Sequence, residues 1–314
     1  MGKGSGYGKV ILFGEHFVVH GIPGIVSAID STTDAEVKKT KIPGINIKDE
    51  RSGSKGYTEQ KKVQQKESID RMLEAMKLDK SISLDIWVGG NLPGFSGIGA
   101  SAASSVAIAR AISEELGLNL TDRRINEVAY EAEKAYAGTP SGIDNTAATF
   151  GGLLWFKKNV NGPDTIEKLS IKEPVEIIMA NSGVVADTKE MVLGVTERKK
   201  KYPEKYDKIF KQEEKLVVKA RKALEDFDLK KVGQLMDMNH KLLQDIEVSC
   251  KELDYLIKVA RENGAYGAKL TGGGGGGCIV ALTPGKKFQE KVAKIIEKEG
   301  FKVLRTKVGG KKSI

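Results

Sequence analysis

The sequence predicts a two-domain protein of the mixed α/β class, with a second domain of the α+β kind. The chain has 314 residues, which is enough for one large domain or two ordinary ones. Strand-like and helix-like segments alternate until the pattern changes near residues 172–176, where "VEIIMAN" predicts a strand that begins a new unit. The order after it, strand, helices, strand, strand, helix and strand, is typical of an α+β domain. We therefore predict domains at residues 1–174 and 175–314.

The first domain is predicted element by element. "KVILFGEHFVVHG" indicates a strand and then a loop, and the polar residues 47–67 indicate a surface loop. "SISLDIWV" alternates as a half-buried strand does, and "AASSVAIARAISEEL" has helical spacing. Thr121 can cap the next helix, "DRRINEVAYEAEKAYA". A constrained loop at 138–145 and the strand "LLWF" follow.

In the second domain the strand "VEIIMAN" precedes long helices, which we predict at about 189–225, 229–245 and 250–263. The segments "AKL" and "CIVAL" indicate strands on either side of six consecutive glycines, residues 272–277. A helix at 286–299 and the strand "FKVLRTKV" complete the chain. The glycine run is interpreted either as a flexible linker or as a loop whose backbone closely approaches a ligand.

Composition narrows the class of protein. The chain is 40% apolar and 30% charged, and it contains no apolar run of the ~18 residues that a membrane span needs, so we expect a cytoplasmic protein without a membrane partner. Cys250 and Cys278 belong to no C-x-x-C pair, which argues against structural zinc and a disulfide framework. The net charge of +9 suits anionic partners, but much of it lies in a mixed-charge helical segment at 197–224. No arginine-rich tract with interleaved aromatics occurs, so we expect no nucleic-acid partner.

The stretch "PGFSGIGASAASS" at 93–105 has the features of a phosphate-binding loop. A strand leads through glycines into a helix, whose N-terminus offers unpaired N–H groups and the positive end of its dipole. Ser101 and Ser104 could add hydroxyls, one of them as a Mg²⁺ ligand. The stretch matches neither the Walker A nor the G-x-G-x-x-G pattern. A tight turn before a buried helix explains the stretch, taken alone, equally well.

Charged residues suggest a site but leave alternatives open. In "GTPSGIDN" the loop presents Asp144, which could equally be a turn or cap residue. Glu133 falls at the margin of the buried face of its helix and therefore needs a partner or a metal. In "YGKVILFGEH", Lys9 could neutralise phosphate or lower a carboxylate pKa. His16 and His20 lack a third ligand at a defined spacing, so they could be loop and core histidines.

Taken together, "GYGKVILFGEHFVVHG", "PGFSGIGASAASS", "GTPSGIDN" and "AKLTGGGGGGC" resemble the conserved blocks of the GHMP small-molecule kinases. They occur in that family's order and spacing over roughly residues 6–308, and they are most similar to the members that phosphorylate mevalonate. The resemblance implies an N-terminal domain like domain 2 of ribosomal protein S5, a ferredoxin-like C-terminal domain and an active site between them. It also implies ATP, Mg²⁺ and a small-molecule alcohol, mevalonate, as ligands. For the oligomeric state, the one assembly that we consider is a homodimer.

The resemblance assigns roles to individual residues. Asp144 matches the catalytic aspartate that accepts the hydroxyl proton, and Lys9 matches the lysine that pairs with it and stabilises the transferring phosphate. Ser101 and Glu133 match the Mg²⁺ ligands. This division of labour suits phosphoryl transfer, which depends on positioning and charge neutralisation.

Further residues are assigned to binding. His16, with Glu15 beside it, matches the substrate pocket, which also includes Lys9 and Asp144. Lys158 is proposed to meet the substrate carboxylate, the alternative being a solvated strand end. The nucleotide is expected to contact the second and fourth blocks at Gly97, Ile98, Gly99, Ala100, Ser101, Ala102, Ser104, Thr271, Gly272, Gly273 and Gly274.

The chain departs from the family pattern at three points, none of which removes a charged group. Tyr7 replaces the usual proline, Ala100 replaces the first of two serines, and Gly273 replaces an alanine. Two alternatives remain: a relative that phosphorylates homoserine, phosphomevalonate or a sugar, and a non-catalytic protein that binds nucleotide or RNA. A decayed enzyme should have lost Lys9, Glu133 or Asp144, and all three are present.

Overall fold

The computed structural model describes residues 1–52, 57–94, 97–159 and 161–310, with only the backbone described for 57–61. Its N-terminal half contains a six-stranded sheet in the order β3-β4-β2-β5-β6, with β1 paired to β2. All the pairs are antiparallel except β3 with β4. The strands are β1 (Gly2–Phe13), β2 (Gly24–Lys39), β3 (Ile45–Asp49), β4 (Leu84–Gly90), β5 (Leu153–Lys157) and β6 (Thr165–Leu169).

Four helices pack with this sheet. The central one, α2, is almost entirely buried, because its small residues allow close approach to β1 and β2. Thr121 caps α3 as predicted, its side chain accepting a hydrogen bond from the Arg124 N–H. A short 3₁₀ helix, Phe17–His20, follows β1. The α-helices are α1 (Tyr57–Ala75), α2 (Ala100–Glu115), α3 (Asp122–Ala137) and α4 (Ile143–Phe150).

The C-terminal half forms a four-stranded antiparallel sheet in the order β10-β7-β9-β8. Its element order is the predicted one, and the glycine run connects two strands of this sheet that pair with each other. The strands are β7 (Val175–Asn181), β8 (Ala268–Thr271), β9 (Cys278–Leu282) and β10 (Lys302–Val308). The helices are α5 (Thr188–Lys201), α6 (Pro203–Glu225), α7 (Leu229–Asp245), α8 (Lys251–Glu262) and α9 (Lys286–Lys298).

Three local predictions were wrong. The segment 47–67 is not one loop, because β3 runs to Asp49 and α1 begins at Tyr57; residues 53–56 of that prediction lie outside the described residues. The helix predicted at 189–225 is two helices, divided at Pro203, which lacks the N–H that a continuous helix requires. The constrained loop at 138–145 ends in the first turn of α4, so Asp144 is helical.

The two halves meet along β1 and β8. The Ile11 N–H donates to Thr271 Oγ1, and the Thr271 hydroxyl faces the Ile11 carbonyl oxygen, each at 3.1 Å. One hydrophobic cluster contains residues of both sheets, including Val10 and Leu12 from the first and Ile177 and Ile279 from the second. The candidate site lies at this junction. Within the described part of the chain, no helix combines the length and apolarity needed to span a bilayer.

Candidate active site

Lys9 and Asp144 form an ion pair at the centre of the site. Lys9 Nζ lies 2.9 Å from Asp144 Oδ1; the lysine side chain is 2% exposed and the aspartate side chain 37%. Asp144 occupies the first turn of α4, where the helix dipole favours a negative charge. Its Oδ1 atom is buried and faces the Lys9 ammonium, with no further hydrogen-bond partner among the described residues. The carboxylate therefore keeps lone pairs that can accept a proton or hydrogen bond from a bound hydroxyl.

A second carboxylate lies close by, on α3. Glu133 is buried, and its two oxygens accept hydrogen bonds from Ser101 Oγ at 3.1 Å and Ser105 Oγ at 3.2 Å. Burial, with the nearby Asp144 charge as a second cause, raises the pKa of Glu133 to about 8. In this structure the carboxyl group is therefore mostly protonated at neutral pH, and a cation at this position would favour its ionised form.

The glycine-rich second block leads into the N-terminus of α2 and is held against β1. The Lys9 N–H donates to the Ile98 carbonyl at 2.9 Å. Gly99, with φ of 74°, precedes the helix, and a β-carbon there would lie 2.5 Å from Lys9 Cγ. The lysine stem thus passes directly over the loop. Phe95 and Ser96 of the predicted phosphate loop lie outside the described residues.

The glycine run approaches this loop from the other sheet. A β-carbon on Gly272 would lie 2.9 Å from Gly97 Cα, so only residues without side chains allow the two backbones to come this close. Gly272 and Gly273 line the site. Because the run joins paired strands of one sheet, it is not a linker between domains.

Two adjoining cavities open on the Lys9–Asp144 pair. One extends over the start of α2, where Gly97, Gly99, Ala100 and Ser101 line it. The other extends under the loop after β1, where Glu15 and His16 line it. The residues common to both cavities are Lys9, Glu133, Ala137, Asp144, Thr188, Gly272 and Gly273. The arrangement offers space for two ligands that meet at one ion pair.

Glu15 and His16 lie in a buried part of the second cavity. His16 Nε2 lies 2.9 Å from the Gly273 carbonyl, which can only accept, so this nitrogen carries a proton and Nδ1 is left as an acceptor. Burial lowers the pKa of His16 to about 4, so the ring is neutral at neutral pH. Glu15 is paired with Lys269, and burial raises its pKa.

Some of the predicted nucleotide contacts lie away from the cavities. Ile98 and Ala102 are fully buried in the core. Ser104 accepts from Arg51 Nη1 at 2.5 Å and donates to the Ala100 carbonyl, so its hydroxyl is already used. Thr271 is bonded to Ile11, and Gly274 lines neither cavity. The sequence does not distinguish these positions from their neighbours because all lie within the same blocks.

Lys158, for which a contact with the substrate carboxylate is predicted, lies beside the 138–145 segment. Its Nζ points to the back of the 138–145 segment, 3.2 Å from the Ser141 carbonyl, and packs over the Tyr130 ring at 5.2 Å. Lys158 lines a separate surface cavity with Arg123 and Asp164. In this structure the Lys158 ammonium therefore contacts the carbonyls of the loop that precedes Asp144.

Two residues that line or support the site are absent from the predicted site residues, although Lys269 lies within the fourth block. Thr188, the first residue of α5, borders both cavities. Lys269 on β8 is completely buried against Glu15. Neither belongs to a predicted set, and the only sequence clue is a lysine inside an apolar strand, "AKL".

Comparison with known proteins agrees with this geometry. The family models of the GHMP kinases N terminal domain and GHMP kinases C terminal match residues 65–152 and 220–302. The mevalonate kinases of Pyrococcus horikoshii and Thermococcus sibiricus are 36% and 34% identical to the chain over 322 residues. Each alignment covers 96% of this chain, and the two alignments cover 93% and 94% of the respective relatives.

Solved structures show the same relationship. The crystal structure of L. major mevalonate kinase in complex with R-mevalonate matches with a TM-score of 0.91 at 38% identity, covering 100% of this chain and 97% of that one. The Methanococcus jannaschii mevalonate kinase matches with a TM-score of 0.78 at 26% identity, covering 98% of each chain. Fold and site thus define an ATP-dependent small-molecule kinase. The chain belongs to the mevalonate kinase family of GHMP kinases, and the predicted fold class is confirmed.

Proposed function

We propose that this protein transfers the γ-phosphate of ATP to the primary hydroxyl of mevalonate, giving 5-phosphomevalonate and ADP. The observation that carries the proposal is the Lys9–Asp144 pair, which lies where the two cavities join. A nucleotide in the cavity over α2 would bring its terminal phosphate to the pair, and an alcohol in the other cavity would bring its hydroxyl there. The family relationship supports this choice of substrates.

The reaction needs a nucleophilic hydroxyl and a stabilised phosphoryl group. The Asp144 carboxylate, held by Lys9 at 2.9 Å, would accept or orient the proton of the attacking hydroxyl. Lys9 would balance the charge that develops on the transferring phosphate, while the N–H groups at the start of α2 hold the other phosphates.

The residues present also fit Mg²⁺. Carboxylate and hydroxyl oxygens are its preferred protein ligands, and Mg²⁺ usually takes one or two carboxylates together with substrate phosphates. Glu133 and Ser101 provide this set beside the phosphate side of the site. The described residues contain no cluster of three or more His, Cys, Asp or Glu that could hold a metal ion. When bound, Mg²⁺ would neutralise phosphate charge.

The two domains are proposed to divide between residues 174 and 175. β6 ends at Leu169 and β7 begins at Val175, so this position lies in the connection between the two sheets. The two family models end and begin well away from it, at residues 152 and 220.

A substrate panel tests the proposed reaction. ADP release with Mg·ATP should be fastest with mevalonate and much slower with phosphomevalonate, homoserine and galactose. The reason is that the second cavity combines the Glu15–His16 loop with apolar side chains such as Val18 and Ile143. If another panel member were turned over faster, that compound rather than mevalonate would be the substrate. The protein would still be a small-molecule kinase.

Proton release tests the metal site. Because the pKa of Glu133 is raised to about 8, cation binding at pH 7 must displace a proton, and affinity for Mg·ATP should rise with pH up to about 8 and then level off. Titration calorimetry at pH 7 in two buffers of different ionisation enthalpy should show close to one more proton released by the wild type than by Glu133→Gln.

The matched control is Glu131→Gln, on the same helix but 41% exposed in its side chain and bonded to Lys134. It should release as many protons as the wild type. Equal proton release by the wild type and Glu133→Gln would show that Glu133 is not a ligand of the metal.

A further inference from the structure

A group of four polar side chains lies behind the Glu15–His16 loop, which we call the buried cluster: Glu15, Glu213, Asn239 and Lys269. All four residues are 0–1% exposed. They come from four different elements: the loop after β1, α6, α7 and β8. The cluster therefore connects the N-terminal half of the chain, through Glu15, with the C-terminal half. Only Glu15 lines a cavity of the site.

The hydrogen bonds within the buried cluster leave atoms unpaired. Lys269 Nζ donates to Glu15 Oε1 and, at 2.7 Å, to the Leu270 carbonyl. Asn239 Nδ2 donates to Glu213 Oε2 at 2.6 Å. Glu15 Oε2, Glu213 Oε1 and Asn239 Oδ1 find no partner among the described residues. Such atoms cost free energy when buried, so the cluster contributes something other than maximal stability.

The charges within the cluster nearly balance. Burial and the neighbouring Glu15 carboxylate raise the pKa of Glu213 to about 8, which leaves its carboxyl mostly neutral at pH 7. With Glu213 neutral, the remaining charged groups of the buried cluster are Lys269 and Glu15, whose opposite charges cancel. Lys269 is thus the direct counter-ion of Glu15.

Lys9 is a second lysine whose charge acts on Glu15. It lines the same cavity as Glu15, and its charge acts on both Glu15 and Lys269 through the protein interior. β8, which carries Lys269, lies next to β1, which carries Lys9. Without Lys269, Lys9 would be the remaining lysine whose charge opposes the effect of burial on Glu15, and an ionised Glu15 in a low-dielectric interior would attract it strongly.

We infer that Lys269 is a positioning residue: it neutralises Glu15 and so keeps the Lys9 ammonium beside Asp144 and the transferring phosphate. The inference rests on the proposed function only in assuming that Lys9 serves phosphoryl transfer. It assigns Lys269 no contact with either substrate.

The test is a double-mutant cycle between Lys269→Met and Glu15→Gln. Lys269→Met should lower kcat by about tenfold or more, because displacement of a catalytic group by ~1 Å costs up to ~100-fold, while KM for ATP stays within about twofold. Adding Glu15→Gln should raise kcat above that of Lys269→Met, since the competing carboxylate is then neutral. A double variant no more active than Lys269→Met would overturn the inference.

A comparison within the Glu15→Gln background covers the case in which Lys269→Met alone does not fold. The double variant contains no uncompensated buried charge from this pair, so it should fold. Its kcat should equal that of Glu15→Gln, and a clearly lower value would mean that Lys269 has another role. Lys307→Met is the control, because Lys307 forms a 3.1 Å ion pair with Glu176 in the same sheet; it should leave kcat unchanged.

A crystal structure of Lys269→Met gives a readout independent of the substrate. Lys9 Nζ should move from its 2.9 Å contact with Asp144 towards Glu15. An unchanged Lys9–Asp144 contact in that structure would refute the inference even if activity fell. Conversely, if the wild type failed to phosphorylate mevalonate, the proposed function would fail while this structural shift could still be observed.

Discussion

The Asp144→Asn variant is expected to lose about a thousandfold in kcat while its affinity for ATP stays near that of the wild type, since positioned acid–base groups contribute ~10²–10⁴-fold. The amide keeps the shape of the side chain but cannot take a proton from the attacking hydroxyl, and it cannot balance the charge of Lys9, 2.9 Å away. ATP affinity should persist because the start of α2 and the glycine loops, rather than Asp144, border the nucleotide side.

Single-turnover phosphorylation of mevalonate and binding of an ATP analogue, measured on the same preparation, separate the two effects. Asp122→Asn is the matched control, because Asp122 also lies in the first turn of a helix and pairs with Arg110 at 2.7 Å, far from the cavities. That variant should keep wild-type turnover. Near-normal turnover in Asp144→Asn would mean that the aspartate neither accepts nor orients the proton.

The catalytic pair shows how far the sequence can be interpreted. Lys9 and Asp144 lie 135 positions apart, and each alone fits an ordinary structural role. No local periodicity predicts that they meet. The expectation that they do came only from the resemblance of four sequence blocks, in one order, to a known family. Glu133 is different, because its place at the margin of a buried helical face already indicated a partner, and Ser101 and Ser105 provide it.

Long-range contacts explain what the sequence did not reveal. Lys269 and Glu15 are 254 residues apart, and a lysine in a short apolar strand gives no sign of a buried counter-ion. The contacts of Lys158 with the Pro140 and Ser141 carbonyls were likewise not predicted, because the direction of a strand end depends on the loop that follows. Similarly, α1 begins in a polar segment that predicts a loop, and its buried residues, such as Ile69 and Leu73, come only in its later turns.

The glycine run was ambiguous for a different reason. Its composition fits a flexible linker as well as a binding loop, and the decision depends on what the flanking strands do. Because β8 and β9 pair with each other, the run is a turn within one sheet. Its contact with Gly97 joins the two glycine loops, which supports the proposal that Gly272 and Gly273 form a backbone wall beside the phosphates.

Lys9→Met should be the second most damaging substitution, with kcat lowered by about a hundredfold or more, in line with the ~10²–10³-fold cost of removing one group that stabilises transition-state charge. Methionine keeps the unbranched stem that passes over Gly99, so the packing between β1 and the α2 loop should survive. What is lost is the ammonium group. Asp144 would then lack its counter-ion, and the transferring phosphate would lack a buried positive charge.

The control is Lys3→Met on the same strand, where the lysine is 63% exposed and pairs with Glu36 on the surface. Comparing kcat and melting temperature for both variants separates charge loss in the site from loss of a lysine on β1. A fall in kcat of less than about threefold in Lys9→Met would assign phosphate stabilisation to other groups. A large fall in both kcat and melting temperature would instead mean that the Lys9–Asp144 pair chiefly holds α4 against β1, because removing one partner of a buried ion pair is strongly destabilising.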